Sequence, residues 1–99
     1  MNKPFTVLIT GTSKGLGYDL VRIFLKKHPQ AIIYATSREI PTKAAERWNQ
    51  IDKNNAVRCK LLEVRSDDSI HNMIKELTNE KVKLNYLINN AGVCIAEDG

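Results

Sequence analysis

Eight residues near the start of the chain, Thr10-Gly11-Thr12-Ser13-Lys14-Gly15-Leu16-Gly17, have the types and spacing to hold an anion. The glycines fall at i, i+4 and i+6. Gly11 lets the chain leave a strand sharply. Gly15 carries no side chain to keep a phosphate off the backbone. Gly17 allows a helix to pack closely on a strand. A helix that starts here presents unpaired N–H groups and the positive end of its dipole. Ser13 adds a hydroxyl and Lys14 a charge at the same rim. A P-loop requires Gly, four residues, then Gly-Lys-Ser/Thr. Counted from Gly11, Leu16 takes the place of the second glycine, so that pattern fails. Similar glycines can serve only to close a strand–helix corner. The context favours dinucleotide binding: a strand before, an amphipathic helix after, and an alternating chain beyond.

Other reactive side chains are sparse. His28 and His71 stand singly, at a helix end and on a helix face, with no acid or nucleophile pattern beside them. Cys59 and Cys94 are the only cysteines, far from any Cys-x-x-Cys spacing. Neither a disulfide framework nor a zinc site is expected, and a reducing, cytoplasmic location fits. The net charge is +4, but Lys and Arg are scattered. The densest groups, Lys26-Lys27 and Lys81 with Lys83, lie at or beyond helix C-termini, where cations suit the dipole. Nucleic-acid binding is therefore not expected. With 42% hydrophobic and 26% charged residues, the chain is neither disordered nor fibrous. No apolar run approaches the ~18 residues of a membrane helix. The start, Met1 to Phe5, is too short and polar for a signal peptide.

The elements that must position the glycine turn follow from periodicity. Phe5 to Thr10 reads as a strand buried on both faces. The first helix has Leu16, Leu20, Ile23 and Phe24 on one face and stops before Pro29. Ala31 to Thr36 is a second buried strand. Pro41 and Thr42 open a second helix with Ala44, Ala45, Trp48 and Ile51 inward, and Asp52-Lys53-Asn54-Asn55 closes it. Val57 to Val64 is a third strand. Ser66 caps a third helix that carries Asp67 and Asp68 in its first turn and buries Ile70, Met73, Ile74 and Leu77. Asn79 ends that helix, and Leu84 to Asn89 is a fourth strand. The alternation implies an α/β fold with a parallel sheet between helix layers. Residues 1–99 read as a single unit.

Thr-Gly-x-x-x-Gly-x-Gly after the first strand and Asn-Asn-Ala-Gly after the fourth resemble the short-chain dehydrogenase/reductase family. Thr10 to Gly17 carry the first motif and Asn89 to Gly92 the second. The segment from Tyr34 to Arg38 is similar to the carbonyl-reductase-like branch. The resemblance implies a Rossmann-like three-layer αβα domain, sheet order 3-2-1-4, and NAD(P)-dependent carbonyl–alcohol chemistry on a small substrate. In that order Cys59 and Cys94 lie near opposite edges, three strand spacings or ~14 Å apart, so both are expected as free thiols. The outer edge of the fourth strand is then uncovered, which predicts marginal stability and self-association. Oligomeric state is otherwise left open.

The resemblance also assigns site residues. Gly11, Ser13, Lys14, Gly15, Leu16 and Gly17 fall to the cofactor. Ser37 stands where NAD-specific members carry an acid for the ribose 2′-hydroxyl, and Arg38 follows it. A guanidinium there suits the 2′-phosphate of NADP, so NADP is favoured over NAD. Pairing of Arg38 with Glu39 on a solvated loop is the rival. Glu63-Val64 stands where the family has Asp-Val, with the acid on the adenine amino group. Asn90, Ala91 and Gly92 would line the ribose and pyrophosphate side, and Asn89 would tie strands together. The family's proton donor is a Tyr with Lys four residues later. Here Tyr18, Tyr34 and Tyr86 are followed at that spacing by Arg22, Arg38 and Asn90. The expectation is a fragment or truncated product with no catalytic residue of its own. A non-catalytic dinucleotide-binding module with a regulatory or partner-binding role is the alternative.

Overall fold

In a computed structural model, residues 3–90 are described. Ala91, Gly92 and Cys94 lie outside them. The chain runs β1 (Phe5–Ile9), α1 (Gly15–Lys27), β2 (Ala31–Ser37), α2 (Pro41–Glu46), β3 (Val57–Leu61), α3 (Asp67–Asn79) and β4 (Tyr86–Ile88). The four strands form a sheet of order β3-β2-β1-β4, as expected, and all three pairings are parallel. Parallel strands need crossovers, and the helices supply them on both faces. Val7, Ile9, Ile33 and Ala35 pack on one side with Val21 of α1 and with Trp48. Leu8 and Tyr34 pack on the other with Met73 and Leu77 of α3. The alternation along β1 thus divides the interior into two cores and gives three layers.

Several boundaries and faces differ from the expectation. On α1, Gly17 and Val21 are buried and Leu20 and Phe24 partly so, whereas Leu16 and Ile23 are exposed. The buried stripe is rotated because α1 meets β1 through the bare backbone at Gly17. Helix α2 ends at Glu46, and the chain continues in turns through Ile51. Trp48 is buried, but Ile51 is exposed. The Asp52 carboxylate accepts the N–H groups of Ala56 and Val57, at 2.7 and 2.9 Å, and so launches β3. Strand β3 stops at Leu61, so Glu63 and Val64 lie in the loop beyond it. On α3, Ile74 is exposed while Met73 and Leu77 are buried. Strand β4 has only the residues Tyr86 to Ile88, and Tyr86 and Leu87 are exposed at its edge.

Two polar features stabilise particular elements. Ser66 Oγ accepts the Ser69 N–H at 3.1 Å, the expected cap of α3. Lys60 of β3, largely buried, is held by Glu76 and Glu80. Burial disfavours its ammonium, but the hydrogen bonds and charges of Glu80 and Glu76 outweigh that and push the pKa up. The contribution is therefore full at neutral pH and is lost only as pH rises through the folded value. Cys59 on β3 is a free thiol.

The end of α3 is a Schellman turn. The Val82 N–H reaches the Leu77 carbonyl and the Lys81 N–H that of Thr78, each at 3.0 Å. The left-handed position is occupied by Lys81, at φ +59°, where glycine is favoured. A non-glycine residue there costs roughly 1–2 kcal/mol. Glycine adds about 0.5–1 kcal/mol of unfolded-chain entropy. Lys81→Gly is therefore expected to stabilise the chain by about 0.5–1 kcal/mol, read from the midpoint of urea unfolding. A lower midpoint would contradict this account of the turn.

Candidate functional site

The carboxyl ends of the parallel strands, where open α/β sheets bind their ligands, carry the glycine turn, Arg38 and Glu63. The turn is fixed from two sides. Thr10 N–H donates to the Ile88 carbonyl at 3.1 Å, and Thr10 Oγ1 donates to Asn89 Oδ1 at 3.1 Å. Both Thr12 N–H and Thr12 Oγ1 donate to the Thr36 carbonyl, each at 3.1 Å. Asn90 Nδ2 donates to the Gly11 carbonyl at 3.1 Å. The turn is thereby tied to β2 by Thr12 and to the end of β4 by Asn89 and Asn90. Asn89 has the strand-tying role expected of it. The side chain of Asn90 also holds the turn.

The glycines do different work. Gly11 and Gly15 adopt φ of +68° and +63°, the region that favours glycine. A Cβ on Gly15 would meet nothing within 4 Å. The space in front of the first turn of α1 is therefore open. Gly17 is the opposite case. A Cβ there would lie 2.1 Å from the Gly11 carbonyl oxygen and 2.7 Å from Asn90 Nδ2. Gly17 is what lets α1 descend onto the turn.

The two crossover helices α1 and α3 begin in contrasting ways. The start of α3 has Ser66 as cap, with Asp67 and Asp68 in its first turn. The start of α1 has no side-chain cap and no acid in its first turn. Lys14 precedes it in an extended conformation and is exposed, as are Gly15 and Leu16. Ser13 is half-buried beside them. Free N–H groups, a positive dipole end, a lysine and open space together suit a phosphate. The residues present fit the pyrophosphate of a dinucleotide, which Ser13, Lys14, Gly15, Leu16 and Gly17 would hold.

At the end of β2, Ser37 is buried and its Oγ accepts the Glu39 N–H at 3.2 Å. A hydroxyl that accepts can still donate its own proton. Glu39 pairs with Arg47, not with Arg38, so the expected rival pairing is not formed. The Arg38 side chain is 80% exposed, and its guanidinium lies 3.7 Å from a carboxylate oxygen of Glu63. The other oxygen of Glu63 accepts the Arg65 N–H at 3.1 Å. Val64 packs against the α3 core. Thr12 and Thr36 were not singled out by their sequence, although a hydroxyl residue at the end of a buried strand commonly signals a tie of this kind. Among the described residues, no cluster of His, Cys, Asp and Glu could hold a metal. Nor is any helix long and apolar enough to cross a membrane.

Two substitutions separate scaffold from site. Gly17→Ala forces backbone apart at 2.1 Å and is expected to cost about 3 kcal/mol or more, with loss of cooperative melting. Gly15→Ala meets no clash and should cost only the ~1–2 kcal/mol of left-handed strain. It should nevertheless abolish stabilisation by added inorganic pyrophosphate. Thermal melts with and without pyrophosphate check both. Equal destabilisation by the two changes would contradict the distinction.

Comparisons with known proteins agree with this geometry. The family described as short chain dehydrogenase matches residues 5–98. The short-chain dehydrogenase TIC 32 B, chloroplastic, of Brassica napus is 31% identical over 98% of this chain and 32% of that protein. The oxidoreductase UcpA of Escherichia coli is 33% identical over 90% of this chain and 33% of its own length. The chain thus spans about a third of the curated relatives it matches. Among solved structures, the putative carbonyl reductase Sniffer of Caenorhabditis elegans superposes with a TM-score of 0.71 at 28% identity, covering 89% of this chain and 37% of that one. Menthone neomenthol reductase from Mentha piperita shares the fold, with a TM-score of 0.76 at 21% identity over 93% of this chain and 33% of that one. The glycine turn at the C-terminal edge of a β3-β2-β1-β4 sheet and the match over nearly its whole length show that the chain belongs to the short-chain dehydrogenase family.

Proposed function

We propose that this chain forms the dinucleotide-binding part of an NADP(H)-dependent oxidoreductase that reduces a small carbonyl compound. The observation that carries the cofactor choice is at the end of β2. Ser37 and Arg38 stand where an acid would select NAD, and the Arg38 guanidinium is exposed on the same sheet edge as the open start of α1. Guanidinium and phosphate form charge-assisted, bidentate hydrogen bonds. Bound there, the nicotinamide cofactor supplies hydride. The residues of this chain bind and orient it: the α1 turn takes the pyrophosphate, and Ser37 and Arg38 take the 2′-phosphate. By the family resemblance Asn90, with Ala91 and Gly92 beyond the described residues, would line the ribose and pyrophosphate side. The small number of cysteines, two in 99 residues, supports a reducing compartment such as the cytoplasm. Within these 99 residues no tyrosine has a lysine four positions later.

Arg38→Ala is expected to lower NADPH affinity about tenfold or more, the equivalent of ~1.5–3 kcal/mol for a charged hydrogen bond. NADH affinity should change by less than about twofold. Fluorescence titration with each cofactor measures both, and equal losses would assign Arg38 to loop support instead. The 99-residue chain is also expected to bind NADPH without oxidising it in the presence of aldehydes or ketones, because it has no positioned acid for the carbonyl oxygen. Turnover that disappears in Gly15→Asp would overturn that expectation.

A further inference from the structure

The charge that faces Arg38 belongs to Glu63, and the two residues are held very differently. The Arg38 side chain is 80% exposed, that of Glu63 36%. Glu63 is anchored at three points. Its N–H donates to Ser69 Oγ at 2.8 Å, in the first turn of α3. One carboxylate oxygen accepts the Arg65 N–H at 3.1 Å. The other oxygen faces the Arg38 guanidinium at 3.7 Å. Glu63 is therefore the better anchored of the two charges, and Arg38 the more exposed.

Both residues stand one or two positions past the paired register Ser37–Leu61, on the ligand side of the sheet. A 2′-phosphate gripped by Arg38 would bring close to two negative charges to the neighbourhood of the Glu63 carboxylate. At such separations like charges repel appreciably, and near a protein surface they are screened less than in bulk water. The phosphate must also take over a guanidinium that Glu63 already attracts. Both effects weaken binding of the phosphorylated ribose, and neither acts on a plain ribose.

Resting on the NADP(H) reading above, we propose that Glu63 is a specificity-determining residue, a counter-charge that competes with the 2′-phosphate for Arg38 and holds down the preference for phosphorylated over plain adenosine ribose. Arg38 supplies the attraction, and Glu63 sets how much of it a ligand can use. Phosphate discrimination by this chain is then the property of a pair spanning the ends of β2 and β3. The role differs from reading the adenine amino group, because it acts through Arg38 on the ribose phosphate and on nothing that plain adenosine carries.

Glu63→Gln isolates the charge, since glutamine keeps an oxygen to accept the Arg65 N–H. The probes are 2′,5′-ADP and 5′-AMP, which differ in the ribose phosphate, titrated calorimetrically into the wild-type chain, Glu63→Gln, Arg38→Ala and the double variant. Glu63→Gln is expected to tighten 2′,5′-ADP by about three- to tenfold and to leave 5′-AMP within about twofold. In the Arg38→Ala background the same change should shift the ratio by less than about twofold. Raising the salt should shrink the gain. A ratio that is unchanged or falls in Glu63→Gln overturns the competition, and an equal loss for both probes returns Glu63 to the adenine ring. Wild-type chain that binds neither probe overturns the dinucleotide reading itself.

Discussion

Gly17 lies so close to the Gly11 carbonyl that no side chain fits between them. A methyl group at Gly17 would sit 2.1 Å from that oxygen. Because none is there, α1 approaches the end of β1 closely enough for Asn90 to hydrogen-bond the same carbonyl. That approach determines which residues of α1 are buried. It turns Val21 into the core and leaves Leu16 and Ile23 in solvent. It also places the first N–H groups of α1 directly above the strand ends. Packing and binding geometry are thus two results of one missing side chain.

Around that contact the hydrogen bonds converge from distant parts of the chain. Thr12 is joined to Thr36 on β2, and Thr10 and Gly11 to Asn89 and Asn90 after β4. Two strands that flank β1 therefore hold the turn between them. Thr6 and Asn85 repeat the arrangement at the opposite end of β4, through their N–H and carbonyl groups and the Asn85 side chain, each at 2.8 Å. A strand as short as β4 is kept in register by these asparagines as much as by its own ladder. The hydrogen bonds that hold the turn are made within the chain, and the uncapped start of α1 lies beside them.

The alternation of strands and helices, the Ser66 cap and the glycine turn were legible in the sequence, because each rests on local periodicity or on a residue type with few alternatives, whereas the sheet order came from the family resemblance and not from any local pattern. The faces of α1 and α3 were read less well. Hydrophobic spacing admits Leu16, Ile23 and Ile74, but the approach at Gly17 and the position of β3 decide which of them are covered. Helix α2 is shorter than its pattern because Trp48 is drawn inward and Asp52 captures the following backbone. At the site, the residue types at Ser37 and Arg38 were apparent, but their partners were not. Glu39 is adjacent in sequence yet pairs with Arg47, while Arg38 faces Glu63 across two strand ends. Such pairings depend on where loops cross, which no short-range pattern encodes.

The unequal starts of α1 and α3 also bear on how the protein breathes. Helix α3 brings its own cap, so its first turn is as secure as the packing beneath it. Helix α1 leaves the same donors to solvent, with a glycine at its first position. Its opening turn is therefore expected to open locally at lower free energy than that of α3, with faster amide exchange. An anion seated there supplies the missing cap and raises the free energy of that opening by mass action. Ligand binding and helix initiation become one equilibrium, so occupancy can be followed through the protection of a few amides at the head of α1.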